Sequence, residues 1–354
     1  MAGAIKGRGA LSQPPGRFDQ LTKQFENDGW YQEDPAEKLA TVVRPEPARS
    51  IISRNKSPDI GFSQSINPYR GCEHGCVYCY ARPSHAYLGL SPGLDFETKL
   101  FYKADAARLL EAELAAPSYK CSTIMLGANT DPYQPLEKSQ RVTRSVLEVL
   151  VRCRHPVTIT TKGALVARDV DLLAELARDG LTRVMFSIPT LDDAMKRVLE
   201  PRAAAAAARL KAMRVLAEAG VAVGVLVAPI IPVLTEHEIE RVLEVCREAG
   251  ASQAGYTILR LPYEVKDLFR EWLAEHFPER AAHVMSIVRG MRGTRDNDPN
   301  FGTRMHATGP VAQLIRQRFQ LACRRLGFPT DRQYELPTHL FKPPGRTHEQ
   351  LSLI

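Results

Sequence analysis

The sequence lacks any long apolar run, and this limits where we expect the protein to reside. Its longest apolar stretch, residues 221–234, is interrupted by Gly224, Pro229 and Pro232. That stretch is too short to span a bilayer and is typical of a buried strand and its following loop. The first residues contain no apolar segment of the signal-peptide type. We therefore expect a cytoplasmic protein that does not enter a membrane.

The chain also lacks internal repeats and a second group of closely spaced cysteines. Four of its seven cysteines are scattered singly, as expected of small buried side chains. These are Cys121, Cys153, Cys246 and Cys323. Disulfide frameworks usually occur in short chains from oxidising compartments. With 354 residues and no such pattern, we expect no disulfide framework here.

Acidic residues are in the minority, and the imbalance is local. The whole chain has a formal charge of +7, and residues 289–346 alone carry +7, with eleven Lys and Arg against four acidic residues. A basic region beside a catalytic domain is consistent with binding of a phosphate backbone. The alternative is a solvated surface that keeps the protein soluble. Charge alone does not separate the two interpretations.

The remaining cysteines, Cys72, Cys76 and Cys79, have the spacing C-x3-C-x2-C in a glycine-bearing loop. A cuboidal four-iron cluster has four corners, so three thiolates leave one iron free for a non-protein ligand. Zinc is the rival metal, with His74 or His85 completing a tetrahedral site. Structural zinc sites usually draw two ligand pairs from separate knuckles, and no second pair at knuckle spacing is present.

Apolar segments of strand length alternate with helical patterns from Ser63 onward, which is typical of βαβ units and a parallel sheet. Strands are expected near residues 61–67, 123–128, 157–161, 183–188, 222–227 and 253–259. Helices are expected near residues 104–115, 138–152, 167–178, 192–219, 235–249 and 264–276. Six of each predict an α/β fold, an open, partial TIM-type (β/α)6 barrel whose active face lies at the carboxyl ends of its strands.

The expected barrel divides the chain into three parts. Residues 1–55 are expected to form an extended, partly ordered leader, residues 56–285 the barrel, and residues 286–354 a basic extension. Within the helices, Thr235 and Glu238 have the spacing of a capping box. The alanine run at 203–208 predicts the middle of the helix over 192–219.

Polar residues follow three of the expected strands. Asn129, Thr130 and Asp131 lie in a proline-stiffened loop after the second strand, although Asp131 is also suited to an ordinary Asx turn. Lys162 follows the third strand, where a lone lysine is ordinarily a solvated charge. Ser187 ends the fourth, and its hydroxyl can bond a ribose or carboxylate oxygen.

The cysteine motif, with an aromatic residue immediately before its third cysteine, resembles the signature of the radical S-adenosylmethionine (radical SAM) enzymes. The wider pattern over residues 63–261 resembles most closely the spore photoproduct lyase-like, DNA repair photolyase-like branch. The resemblance implies a 4Fe-4S cluster on the three cysteines, with S-adenosylmethionine (SAM) chelating the free iron. It further implies that Tyr78 lies against the adenine and that Tyr80 shuttles a hydrogen atom or contacts the cofactor. The other implied SAM contacts are Asn129, Thr130 and Asp131 for the ammonium group, Lys162 for the carboxylate, and Ser187.

The activity implied by the resemblance is reductive cleavage of SAM to a 5′-deoxyadenosyl radical, which removes a hydrogen atom from an unactivated substrate carbon. The electron would come from an external donor of flavodoxin or ferredoxin type. The branch and the local charge favour a nucleic acid substrate, either a DNA lesion or a base in RNA. Tyr256, Tyr263, Trp272 or Phe301 could stack on an exposed base, although such aromatics are more often core.

One departure and two alternatives accompany this interpretation. Spore photoproduct lyases use a cysteine at the end of the second strand as hydrogen donor, where this chain has Ala128; Cys121 lies at the opposite end of that strand. The substrate is alternatively a peptide or small metabolite. A non-enzymatic alternative is an iron-sulfur or zinc protein whose metal staples a nucleic-acid-binding module. The sequence does not predict an oligomeric state.

Overall fold

The computed structural model describes residues 5–19, 39–329 and 335–345. Parts of the expected leader and extension, residues 1–4, 20–38, 330–334 and 346–354, lie outside the described residues. The described strands are β1 Val42–Pro45, β2 Ile52–Arg54, β3 Gln64–Ile66, β4 Tyr69–Arg70, β5 Lys99–Tyr102, β6 Ile124–Leu126, β7 Val157–Thr161, β8 Thr182–Ser187, β9 Ala222–Ile230 and β10 Gln253–Ile258. The described α-helices are α1 Asp95–Thr98, α2 Ala106–Leu114, α3 Glu137–Gln140, α4 Val142–Arg152, α5 Val170–Arg178, α6 Asp193–Leu199, α7 Ala206–Glu218, α8 Ile239–Glu248, α9 Val265–His276, α10 Pro278–Gly290 and α11 Gly309–Arg325.

The main sheet confirms the predicted open, partial barrel. Its strand order is β10-β9-β8-β7-β6-β3-β2. The six strands from β3 to β10 in this order are parallel to their neighbours, and β2 is antiparallel to β3. The described strands do not close into a barrel. Because parallel strands share one direction, the loops after β3, β6, β7, β8, β9 and β10 all leave from the same edge.

Two features of the architecture were not predicted. A second, three-stranded sheet has the order β1-β5-β4, and it lies next to the cysteine loop in the chain because β4 ends at Arg70. Helix α9, which follows β10 in the chain, packs with α10 in a separate apolar cluster that includes Cys76 and Tyr78. Helix α11 covers β10, with the ring of Phe319 4.6 Å from that of Tyr256. The side chains of α11 thus belong to the principal core.

The single helix expected over 192–219 is wrong. The chain forms α6 and α7, separated by residues 200–205. Pro201 has no N–H for a helical hydrogen bond and disfavours helical backbone at Glu200. The alanine run therefore does not lie mid-helix, because α7 begins only at Ala206.

The predicted capping box is also wrong. Thr235 Oγ1 accepts a hydrogen bond from Ile231 N at 2.9 Å, away from the helix that follows it. The carboxylate of Glu238 accepts from Thr190 Oγ1 and from Leu191 N, at 2.5 and 2.8 Å. Glu238 therefore ties α8 to the loop after β8 and does not cap its own helix. In the part of the chain that the structure describes, no helix has both the length and the apolar character needed to cross a membrane.

Candidate functional site

The cysteine loop begins directly after β4, at the carboxyl edge of the main sheet. Cys72 and Cys76 are buried, Cys79 is partly buried, and all three are free thiols. Gly71 and Gly75 have φ of +75° and +69°, a left-handed conformation that glycine adopts without strain. A Cβ at Gly75 would lie 2.9 Å from a carboxylate oxygen of Glu97, so there is also no room for a side chain at this position.

A buried ion pair supports the backbone of this loop. Arg82 and Glu97 are both completely buried and paired with each other. Arg82 Nε donates to the Cys76 carbonyl at 2.9 Å, while Glu97 accepts from the backbone N–H groups of Gly9 and Ala10 at 3.0 and 2.9 Å. The described part of the expected leader therefore packs directly against the cysteine loop. Sequence reasoning missed this pair, because nothing local connects Glu97 to residues so far away in the chain.

The loop after β6 joins the cysteine loop to β7. Gln134 is completely buried; its amide donates to the Gly71 carbonyl at 3.1 Å and its oxygen accepts from Glu73 N at 3.0 Å. Sequence reasoning did not single out Gln134. Asp131 accepts from Thr161 Oγ1 at 2.6 Å and from Lys162 N at 2.7 Å.

Asp131 also contacts the cysteine loop. His74 Nδ1 lies 3.3 Å from its carboxylate. Burial would raise the pKa of Asp131, but His74 and the hydrogen bonds from Thr161 and Lys162 hold it well below its usual range. Asp131 is therefore a charged bridge between two loops, and its oxygens are already engaged by the chain itself.

The neighbouring polar residues divide by whether their side chains are engaged. The Thr130 hydroxyl is buried and donates to the Tyr69 carbonyl at 2.9 Å. The backbone N–H of Asn129 donates to Asn67 Oδ1 at 2.8 Å, but the Asn129 amide itself bonds to no described residue. The Ser187 hydroxyl is buried and donates to the Ala228 carbonyl at 2.9 Å. Of these three, Asn129 alone has a side chain that makes no hydrogen bond to the described residues, whereas the hydroxyls of Thr130 and Ser187 have used their donor and can only accept from a ligand.

A buried charged group lies beside Tyr78. The Tyr78 hydroxyl donates to Glu200, which also pairs with Arg209; the side chains of Glu200 and Arg209 are 0% and 1% exposed. Burial alone would raise the pKa of Glu200, but Arg209 and Lys162 lower it below its usual value. Sequence reasoning placed Glu200 and Arg209 inside one helix and missed both. The signal available was Pro201, which marks a break in that helix.

Lys162 completes this group. Its ammonium lies 5.8 Å from the centre of the Tyr78 ring and makes no hydrogen bond or ion pair with a described residue. Burial would lower the pKa of Lys162, whereas the neighbouring Cys76, Glu200 and Asp131 raise it. The half-buried lysine therefore remains charged next to the cysteine loop, where a cation favours the thiolate forms of cysteine.

Tyr80 and the end of the second parallel strand also meet. The Tyr80 side chain is 55% exposed, and its hydroxyl donates to the carbonyl of Ala128. Cys121 lies at the other end of this strand, where its sulfur is 3.6 Å from His155 Nε2. This confirms that Cys121 and the cysteine loop lie at opposite ends of β6.

The chemistry of this donor set fits an iron-sulfur cluster. Three free thiols share one loop, and the ammonium of the neighbouring Lys162 makes no hydrogen bond in the described ranges. Among the described residues, no three Cys, His, Asp or Glu side chains are grouped as they would be around one metal ion. A four-iron cluster binds each thiolate through a different iron, so it does not require three sulfurs around one ion.

The basic region, residues 289–346, contacts the carboxyl end of the last parallel strand through Arg292. Arg292 donates to the Ile258 and Leu259 carbonyls at 3.4 and 3.0 Å. Arg304 donates to Asp59 at 2.6 Å and lies 4.3 Å from the ring centre of Phe301. Of the four aromatics considered for base stacking, Phe301 and Tyr263 are exposed at 64% and 60%. The other two pack in the protein: Trp272 is completely buried, and Tyr256 contacts Phe319.

Comparison with known proteins places this site in a family. The family model described as "Radical SAM superfamily" matches residues 66–246, a little over half of the chain. The chain belongs to the radical SAM superfamily. It is therefore a radical SAM enzyme, a class whose cofactors are a 4Fe-4S cluster and SAM.

Similar proteins occur in distant organisms. An uncharacterized protein of Mycobacterium tuberculosis is 35% identical over 240 residues, covering 66% of this chain and 71% of the relative. An uncharacterized protein of Methanocaldococcus jannaschii is 26% identical over 232 residues, covering 66% and 82%. A spore photoproduct lyase variant solved with bound AdoMet and dinucleoside spore photoproduct is 17% identical, with a TM-score of 0.56 and coverage of 80% and 79%. At this identity the structural likeness shows the shared fold.

Proposed function

We propose that this radical SAM enzyme holds its cluster through Cys72, Cys76 and Cys79 and acts on a nucleic acid, either to repair a DNA lesion or to modify a base. When bound, the reduced cluster and SAM supply a 5′-deoxyadenosyl radical. The observation that carries the proposal is the set of three free thiols on one loop beside Lys162, whose ammonium has no hydrogen bond to the described chain. A half-buried ammonium without such a bond is available to bind an anionic group of a ligand.

The chain's own groups suit the parts of SAM that they would meet. Lys162 offers a positive charge to the carboxylate, and the unengaged amide of Asn129 offers an oxygen to the ammonium. Tyr78 is fixed by its hydrogen bond to Glu200, so its ring is held in place to pack against the adenine. Asp131, Thr130 and Ser187 would act mainly by fixing these loops, because their side chains already bond to the protein.

Nucleic acid is the proposed substrate for two reasons. The solved structures of similar fold include spore photoproduct lyase complexed with dinucleoside spore photoproduct. The mouth also carries the exposed aromatics Tyr80 and Phe301 beside the partly buried arginines Arg260 and Arg304, and such side chains together bind bases and phosphates in other proteins. Tyr80 is exposed at this mouth and adjacent to Cys79, which suits the proposed role in moving a hydrogen atom. An external donor of flavodoxin or ferredoxin type would supply the electron.

The test is formation of 5′-deoxyadenosine by anaerobically reconstituted, chemically reduced protein, with DNA, RNA or neither added. We expect wild-type protein to contain iron and sulfide and to cleave SAM, with stimulation by one nucleic acid. Cys76→Ala should fold but lose iron and cleavage. Cys246→Ala is the matched control, since it removes a buried thiol from α8 outside the loop. A zinc-loaded wild type that leaves SAM intact would refute the proposal, and cleavage stimulated only by a peptide or metabolite would refute its substrate.

A further inference from the structure

Arg260 lies just beyond β10, at the carboxyl end of the last parallel strand. Its neighbours Leu259 and Leu261 are 1% and 0% exposed, and both pack in the apolar cluster that contains Cys76, α9 and α10. Arg260 stands between these two residues in the sequence, but its side chain contacts Met305 and is not part of that cluster. Arg260 lies close enough to Tyr80 to interact electrostatically with its hydroxyl, and Arg304 lies close enough to Arg260 to repel it. Arg260 is therefore part of the mouth over the cysteine loop.

The guanidinium of Arg260 makes no ion pair or hydrogen bond with a carboxylate among the described residues, although Asp59 and Asp298 act on it at longer range. Arg260 Nη1 lies 2.8 Å from the sulfur of Met305, and Arg260 Nε is buried without a hydrogen bond. A thioether is a weak acceptor, and a buried charged donor left unsatisfied costs free energy. Burial and the nearby Arg304 accordingly lower the pKa of Arg260.

The other two arginines at the mouth bind oxygen atoms of the protein, although Arg292 Nε, like Arg260 Nε, is buried without a hydrogen bond. Arg292 donates to four carbonyl oxygens. Arg304 donates to Asp59 and to Ser57 Oγ, the latter at 2.7 Å. Arg260 thus differs from its neighbours in lacking an acceptor of matching strength. A planar guanidinium in this state is suited to a ligand oxyanion, which it can bind through two parallel hydrogen bonds.

The surroundings of Arg260 indicate which oxyanion. Tyr80 and Phe301 are exposed aromatics, and Arg304 stacks on Phe301. Aromatic faces next to a guanidinium match a nucleotide, whose base stacks and whose phosphate accepts hydrogen bonds. We propose that Arg260 binds the phosphate that flanks the nucleotide contacting Tyr80. This inference rests on the proposed function, which supplies a nucleic acid as the substrate.

The experiment measures binding of a short fluorescein-labelled oligothymidylate to the reconstituted protein by anisotropy, over a series of salt concentrations. Arg260→Met should weaken binding about 10-fold and reduce the slope of log affinity against log salt by about one. Arg260→Lys, which keeps the charge but loses the planar fork, should bind with intermediate affinity. Arg241→Met is the control: it removes the same charge from the exposed face of α8 and should bind like the wild type.

A second arm tests the phosphate itself. An oligothymidylate with neutral methylphosphonate linkages should bind the wild type more weakly, and the difference between wild type and Arg260→Met should disappear. If Arg260→Met instead retains its oligonucleotide affinity, the assignment is wrong. If it loses affinity for SAM in equilibrium dialysis while still binding the oligonucleotide, Arg260 serves the cofactor carboxylate and the proposal fails.

The result for the wild type separates this inference from the proposed function. A protein that forms 5′-deoxyadenosine but binds no oligonucleotide would overturn both the nucleic acid substrate and the role of Arg260, and would leave the radical chemistry intact. A protein that binds the oligonucleotide equally well with and without Arg260 would overturn the phosphate site alone. Circular dichroism establishes whether each variant is folded. If Arg260→Met is not folded, the comparison is made between the wild type and Arg260→Lys.

Discussion

Replacement of Glu200 by Gln should strongly destabilise the protein although it changes only one atom. Glu200 and Arg209 are almost completely inaccessible to solvent, and the Glu200 carboxylate also balances the charge of Lys162. Glutamine keeps an oxygen that can accept from the Tyr78 hydroxyl. The substitution therefore leaves the shape and one hydrogen bond in place and removes the negative charge from between two cations.

The size of the effect follows from burial. Breaking a buried ion pair by removing one partner costs about 3–5 kcal/mol, because the other charge stays buried without compensation. Arg209 retains its hydrogen bonds to the Ser187 and Ala204 carbonyls, at 2.6 and 2.8 Å. We therefore expect a loss near the lower limit, about 3 kcal/mol. The exposed pair Arg241 and Glu244 provides the contrast, since Glu244→Gln should cost less than about 0.5 kcal/mol.

Urea unfolding of the cluster-free protein, followed by circular dichroism, measures both losses from the midpoint and the slope. The double variant Glu200→Gln, Arg209→Gln should lose less than the sum of its single variants, because each single variant already breaks the same pair. Equal, small losses for Glu200→Gln and Glu244→Gln would show that Arg209 is compensated by other groups, and the account of this buried pair would be wrong.

Two further predictions concern stability. Burial lowers the pKa of the completely inaccessible His155 to about 4, so the unfolded chain takes up this proton first, below about pH 6.5. The contribution of His155 to the free energy of unfolding is constant above pH 6.5 and falls by about 3 kcal/mol towards pH 4. The urea midpoint should therefore fall less across this range in His155→Gln than in the wild type. Equal falls in the two proteins would contradict the assignment. Gly75→Ala should cost more than Gly89→Ala in thermal unfolding, because both have positive φ but only a Cβ at Gly75 meets Glu97 at 2.9 Å, whereas nothing lies within 4 Å of one at Gly89. Equal losses would show that backbone strain alone decides both.

The strands and the metal-binding loop were predictable because their signals are local. A buried parallel strand is a short apolar run, and each of the six predicted runs overlaps an observed strand. The three cysteines lie within eight residues, so their spacing alone indicates an iron-binding loop. By contrast, the helix over 192–219 was wrong because the alanine-rich composition outweighed the break that Pro201 imposes.

The supports of the site were not predictable, because they join segments that are distant in the chain. Gln134 reaches the cysteine loop from the loop after β6, and Glu97 accepts hydrogen bonds from the backbone of Gly9 and Ala10, which lie 88 and 87 residues before it. Gln134 and Glu97 are each an ordinary polar residue in the sequence. Their roles follow from the fold, which brings the carboxyl ends of several strands to one edge and buries these polar groups with their partners.

The contact between residues 5–19 and the cysteine loop bears on where the working unit of this enzyme begins. The family match starts at residue 66, yet Gly9 and Ala10 supply two of the donors that satisfy the buried carboxylate of Glu97. A fragment trimmed to the conserved fold would leave Arg82 alone to neutralise Glu97 and would open one wall of the loop to water. A piece of the chain that keeps all the hydrogen bonds supporting the cysteine loop thus extends well upstream of the segment by which the family is recognised.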